Sequence, residues 1–186
     1  RLPSTPLRYD HLPLLEKLVA INAATIVDCW RLIDRLAPVD FVTARALAGL
    51  ANVAAMTVTD RFEMIDRVTR LDEPGRWAAS GLFAVKAITA AETGRGLQII
   101  DELGERQRWA AEQQCRITGI TAREVLAGLA RLQHLDAGDA WNARALFMQP
   151  DMTAALAAAW LQRYFTLPRQ EREQAFLRMP TRDRTA

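Results

Sequence analysis

Apolar residues recur at helical intervals along nearly the whole chain. In LPLLEKLVAINAATIVDCWRLIDRL, the residues Leu14, Leu18, Ile21, Ile26, Trp30 and Ile33 follow one another at steps of three to five, the period of a helix rather than a strand. Apolar positions fall on more than one face, which suits a helix packed between neighbours. Pro38 and Asp40 end this helix and open the next. Residues 41–71 again read as helical, with a weak point at Thr57–Thr59, where MTVT is rich in β-branched residues.

DEPG, residues 72–75, predicts a turn. A helix follows over Trp77 to Ala91; ETGRG interrupts it, and another runs from Leu97 to about Arg116. QQCRITGITAREVLAGLARL, Gln113 to Leu132, reads as a helix end, a turn on Gly119 and a second helix opened by Thr121. DAGDAW predicts a loop before a short helix from about Ala140; Pro150 resets the chain for a helix over Asp151 to Phe165. Pro168 suits the first turn of a last helix, where its missing N–H costs nothing. There is no alternating run for a sheet, no low-complexity segment and no expected repeat of fixed period. The expected fold is all-α, a compact bundle of about six to eight helices with a candidate helix-turn-helix at 107–133. One domain over residues 1–186 is expected, with a sub-boundary at the 72–75 turn.

Composition narrows the function classes. Half the residues are apolar and a quarter charged, a globular balance. The net charge of +2 is spread unevenly: residues 1–60 balance at zero, 134–162 sum to −2 and 163–186 to +3. A strongly basic nucleic-acid protein carries more than this. No apolar run reaches the roughly 18–20 residues of a membrane span, and the opening RLPSTPLRYDHLPLLEK has no signal-peptide core. The expectation is a cytoplasmic protein with no transmembrane segment. The first residue is Arg1, which leaves room for residues upstream. Cys29 and Cys115 lack CxxC spacing and sit among apolar residues, as buried free thiols do.

Catalytic chemistry finds few carriers. His11 and His134 have no carboxylate or cysteine at metal spacing, and neither a dinucleotide nor a nucleotide glycine loop occurs. Carboxylate pairs such as Glu63 with Asp66 and Asp101 with Glu105 suit exposed helix faces. No catalytic residue, metal site or cofactor is expected, and the chain is read as a non-enzyme. Five tryptophans, Trp30, Trp77, Trp109, Trp141 and Trp160, are distributed about one per helix; they are expected as core and interface anchors.

The sharpest local signal is the 113–133 stretch. Thr121 and Glu124 form a capping box, Gly119 supplies the positive φ of a tight turn, and Ile120 points inward. Cys115, an aliphatic after the glycine and Val125 match the close packing of a helix-turn-helix. In that reading Thr121, Arg123, Arg131 and Gln133 would face double-stranded DNA. Against it, Ala127 and Gly128 offer the reading face little hydrogen-bonding capacity, and an ordinary helical corner gives the same pattern.

LLEKLVAINAATIVDCWRLI (14–33), with LANVAAMTV further on, resembles the first helices of the D subunit of the flagellar master activator. The shared features are the Leu-Leu start, the Ile-Asn pair, and Arg31 with an apolar pair after it. LQIIDELGERQRWAAEQQCRITGITAREVLAGL is similar to the start of the C subunit, with an apolar-LG-x-R helix and a Thr-opened helix after it. The resemblance implies a helical DNA-binding transcription regulator; the four-cysteine zinc site of that subunit has no counterpart in this chain. LLEKLVAINAATI also resembles the opening helix of phasins, which would imply a granule-surface coat, although this chain is richer in tryptophan. The expected function is a non-enzymatic helical regulator, in its sharpest form a DNA-binding one. The alternative is a protein-interaction module or complex subunit acting through a protein partner or a homo-oligomer.

Overall fold

Threonines at 57, 89, 121 and 153, each 32 residues after the last, start four helices. The structure is a computed structural model and describes residues 26–36, 38–168, 171 and 172. Its helices are α1 (Ile26–Leu36), α2 (Phe41–Ala48), α3 (Val58–Arg70), α4 (Glu73–Phe83), α5 (Ala90–Glu102), α6 (Glu105–Cys115), α7 (Ala122–Leu132), α8 (Ala137–Phe147) and α9 (Ala154–Thr166), with a 3-10 turn at Gly49–Asn52 after α2. Among the described residues every named element is a helix, as the periodicity predicts.

The caps explain where each helix begins. Thr57, Thr89 and Thr121 each accept from the backbone N–H three residues on, and the carboxylates of Asp60, Glu92 and Glu124 accept in return from the threonine N–H. Thr153 keeps only its own half, because Leu156 stands where the acid would be. The second helix of each pair starts on Asp40, Asp72, Gly104 or Asp136; the aspartates accept from N–H groups of the first turn. Between α3 and α4, and between α5 and α6, the chain leaves the helix for one extended residue, Leu71 or Leu103, before the next cap.

The result is a tandem repeat of a helix pair, contrary to the expectation that no fixed period exists. Residues 57–88, 89–120 and 121–152 form three complete units, flanked by α1–α2 before and α9 after. Matched positions supply matched core residues: Ile65, Leu97, Leu129 and Leu161 form one column, Val68, Ile100, Leu132 and Tyr164 another, and Leu71, Leu103 and Leu135 a third. First helices (α1, α3, α5, α7, α9) stack in one layer and second helices (α2, α4, α6, α8) in the other, with the more extensive contacts among the second. Glycine makes these approaches possible: a Cβ on Gly81 would lie 2.8 Å from the Cys115 Cβ, and one on Gly49 2.6 Å from the Phe83 Cβ. One continuous core runs from Leu32 to Tyr164.

Several expected breaks move for physical reasons. ETGRG lies inside α5, because the Thr89–Glu92 box starts that helix and Leu82 fills the space above Gly96. The break falls instead at 84–89, so the helix expected over 77–91 ends at Phe83. Only Asp72 of DEPG precedes α4; Pro74 and Gly75 lie in its first turn, and the expected sub-boundary is only a helix start. DAGDAW is likewise absorbed, since Asp136 caps a helix from Ala137. The weak point near Thr57 is real: the chain leaves the helix over 53–57 and Ala54 pairs with the neighbouring corner, donating to Ile88 O and accepting from Ala90 N. The helix expected after Pro168 lies largely outside the described residues, as do Leu14–Ala24 and most of the basic tail.

Candidate functional site

The corner from Cys115 to Thr121 has the geometry that its residues suggest. Thr121 Oγ1 accepts from Glu124 N at 3.3 Å, and Glu124 Oε2 accepts from Thr121 N at 2.9 Å and from Thr121 Oγ1 at 2.6 Å. Those bonds, the hydroxyl's first and the backbone N–H next, hold the Glu124 carboxyl below its usual range. Gly119 has φ +76°, and Ile120 is buried.

The same corner occurs elsewhere in the chain. Ala55 and Ala87, 64 and 32 residues before Gly119, also have positive φ, at 54° and 59°. Ile88 and Ile120 are buried at equivalent places, each just before a capping threonine. The helix-turn-helix at 107–133 is therefore one instance of the repeat's own corner, and α7 lies between α5 and α9 in its layer.

The proposed contact residues divide. Arg123 is exposed on the first turn of α7. Arg131 is half-buried, and its Nη1 donates to Ala158 O of α9 at 3.3 Å. Gln133 Nε2 donates to Glu102 at 2.8 Å, and Gln133 O accepts from Gln107. Arg131 and Gln133 thus join neighbouring units, and the structure does not bring them with Arg123 into one open face.

The carboxylates singled out from the sequence and the Cys115 thiol gain little from the fold. Asp66 accepts from Arg35 Nε at 3.0 Å, and His134 is exposed after α7. Burial, with Glu112 adding to it, pushes the Cys115 thiol up to about 12, which keeps it protonated and inert. Among the described residues no three His, Cys, Asp or Glu side chains gather as metal ligands would. A groove of about 430 Å³ between the start of α3 and α5 is lined by Asp60, Glu63, Arg67 and Gly94 among others. Of these, Asp60 is already committed to its cap.

A different constellation does converge. Trp77, Trp109 and Trp141 occupy one repeat position, 32 residues apart on α4, α6 and α8. On α4 that position turns away from the core-facing Ala79 and Leu82, so the rings line the free face of the second-helix layer. Arg45, at the same position of α2, places its guanidinium 5.5 Å from the Trp77 ring. Arg144 reaches both of the next two, 5.4 Å from the Trp109 ring and 4.7 Å from the Trp141 ring. Trp77 and Trp109 are half-buried, and Trp141 is 48% exposed. Each tryptophan, weighed alone, looks like a packing anchor; their common spacing was the signal that would have found the row.

No protein-family model, no characterised protein and no solved structure matches this chain. Among the described residues no helix is long and apolar enough to cross a membrane.

Proposed function

We propose that this chain is a helical-repeat scaffold, a non-enzymatic cytoplasmic protein that binds a protein partner across several of its units. The observation that carries this reading is the 32-residue unit itself. Stacked helix pairs make a continuous face whose length grows with each unit, and such faces serve recognition of extended surfaces. The near-neutral net charge of +2 also favours a protein partner over a polyanion. The regulator reading, with double-stranded DNA read by 113–133, keeps Arg123 as its exposed contact, while Arg131 and Gln133 are held in inter-unit bonds.

Photo-cross-linking of the affinity-purified full chain, followed by peptide mapping, tests the scaffold. Cross-links to one partner should fall in at least two of the units 57–88, 89–120 and 121–152. In parallel, anisotropy with a mixed-sequence DNA duplex at low and physiological salt compares the wild type with Arg123→Ala. Salt-sensitive binding abolished by that substitution, with no partner cross-linked, would replace the scaffold by a DNA reader.

A further inference from the structure

We propose that the outer face of α8, with the first turn of α9, is the docking site for an amphipathic, acidic helix of the protein partner. This deepens the scaffold reading and rests on it.

The first support is a difference between neighbouring units. Ala137, Trp141, Ala145 and Met148 follow one another at steps of four, four and three, which places them on one side of α8. Trp141 is 48% and Met148 56% exposed, and Leu156, across the corner in the first turn of α9, is 55% exposed. The preceding unit carries charges at three of these places: Glu105, Arg116 and Glu124 stand where Ala137, Met148 and Leu156 follow. All three charges are thus exchanged for apolar residues, and all three replacements lie at the surface. At Leu156 the exchange costs stability. Thr153 keeps its bond from Leu156 N at 3.2 Å, but the carboxylate that would complete the capping box is missing. A cap given up for an exposed leucine marks a surface kept for contact.

The second support is charge. In α6 Glu112 pairs with Arg116 at 2.7 Å, whereas the same two places of the next unit hold Arg144 and Met148. Arg144 touches the Trp109 and Trp141 rings and, among the described residues, makes no hydrogen bond or ion pair. Of its nitrogens only Nε is closed off, so the Nη groups reach the surface beside the apolar stripe. The acids at the start of α8 are committed: Asp136 caps the helix, and Asp139 pairs with Arg172 at 3.6 Å. A carboxylate on the partner would complete from outside the pair that α6 makes within itself.

A helix fits this face better than an extended segment. The described residues offer no strand for an extended partner to pair with, so its N–H and C=O groups would meet only side chains, whereas a helix satisfies its own. The partner's apolar stripe would pack along Trp141 and Met148 and present Asp or Glu to Arg144. A second copy of this chain fits less well. Arg144 lies midway between Trp141 and Met148, so two α8 faces packed about a twofold axis would bring their arginines together. An anionic bilayer would be repelled by Asp136 and Asp151, exposed at the two ends of the stripe.

The test places a photo-cross-linking side chain at Met148 of the full chain and, as a control, at Ala84, the same place one helix of the layer further back on α4. The expected result is a partner peptide captured from position 148 and not from 84, apolar at helical spacing and carrying acids. Made synthetically, that peptide should bind the wild type and lose about tenfold in affinity for Met148→Arg/Leu156→Glu, which restores the residues of the preceding unit. Leu156→Glu completes the capping box, so the thermal midpoint of this variant should stay level or rise, and unfolding would not explain the loss. Arg144→Gln should also weaken binding and flatten its salt dependence. Phosphatidylglycerol vesicles, offered in a flotation assay, should not bind. A captured peptide without acids or helical spacing, affinity unchanged by the substitutions, cross-links of the chain to itself, or vesicle binding abolished by the double variant would each overturn the proposal. Cross-links from position 84 with none from 148 would remove this site and leave the scaffold standing; with no partner captured anywhere, both fall.

Discussion

Two successive junctions of the repeat solve one packing problem with different residues. Where residues 57–88 meet 89–120, Gly81 lets α4 and α6 approach until only the Cys115 Cβ limits them. An ion pair closes the edge, Asp72 with Arg108 at 2.7 Å, as Asp40 with Arg76 at 2.6 Å does one unit earlier. Where 89–120 meets 121–152 these devices are gone: Gln113, Gly104 and Ala140 stand in the places of Gly81, Asp72 and Arg108. Both members of the ion pair are replaced together, so no half-buried arginine is left without its carboxylate. In their stead Gln107 Nε2 donates to Leu135 O at 2.6 Å, while the hollow of Gly128 takes Gln114 just as that of Gly96 takes Leu82 one unit earlier. The spacing of the unit sets the geometry, and each junction then needs only some residues that fill the volume.

The comparison predicts that the glycine junction is the less forgiving. In Gly81→Ala the new methyl meets a Cβ fixed to the neighbouring backbone, 2.8 Å away, so α4 and α6 must separate. Overpacking of about 3 kcal/mol, less about 1 kcal/mol of added helix preference, leaves a net loss of about 2 kcal/mol. Urea unfolding should show the drop in midpoint. Because each unit contacts only its neighbours, the transition should also broaden or split as the units on either side uncouple. An unchanged midpoint would mean that the second-helix layer is not close-packed at this point.

How far the chain could be read from its residues follows from the same contrast. Helical periodicity, the Asp40 boundary and the Thr121–Glu124 box are local, and local rules find them. The repeat was hidden because its units share spacing and little identity. The column of Leu82, Gln114 and Leu146 changes from apolar to polar and back, and the Asp–Arg pair recurs in some units and not in others. The capping threonines with their acids at 60, 92 and 124, the leucines at 71, 103 and 135, the tryptophans at 77, 109 and 141 and the buried alanines at 79, 111 and 143 keep their type. Gly94, Gly96, Pro74 and Gly75 signal breaks to any reader of propensities, yet all lie inside helices. There a cap fixes the start, and at Gly96 the Leu82 side chain fills the space, which overrides propensity. The candidate site suffered equally: Thr121 and its corner are specific in isolation and generic once three such corners are seen.

At the amide junction, Gln107→Ala should cost about 1–2 kcal/mol. It removes the bond to Leu135 O and also the Oε1 that accepts from Gly104 N at 2.7 Å. The loss should appear in thermal or urea unfolding. Hydrogen exchange should speed up near Gln133–Leu135 and at the start of α6, and leave the Asp72–Arg108 edge protected. Equal acceleration at both junctions would show that the two are coupled more tightly than their separate chemistry suggests.

Gly104→Asp asks whether the missing half of the ion pair can be restored alone, and should give the smallest effect. Gly104 has φ −71° and ψ 164°, extended values open to any residue, and its added Cβ would touch nothing closer than Gln107 Oε1 at 3.4 Å. Aspartate already caps α2, α4 and α8 at this place. The cap is worth a few tenths of a kcal/mol over glycine, and the stiffer unfolded chain adds a similar amount, for a gain near 0.5 kcal/mol in the urea midpoint. Ala140 offers no arginine to answer the new charge, so the gain should not grow at low salt. A salt-sensitive gain well above that figure would mean that another cation reaches the edge. A loss would mean that Gln107 caps α6 better than an aspartate does, and that this junction works because its charges were removed.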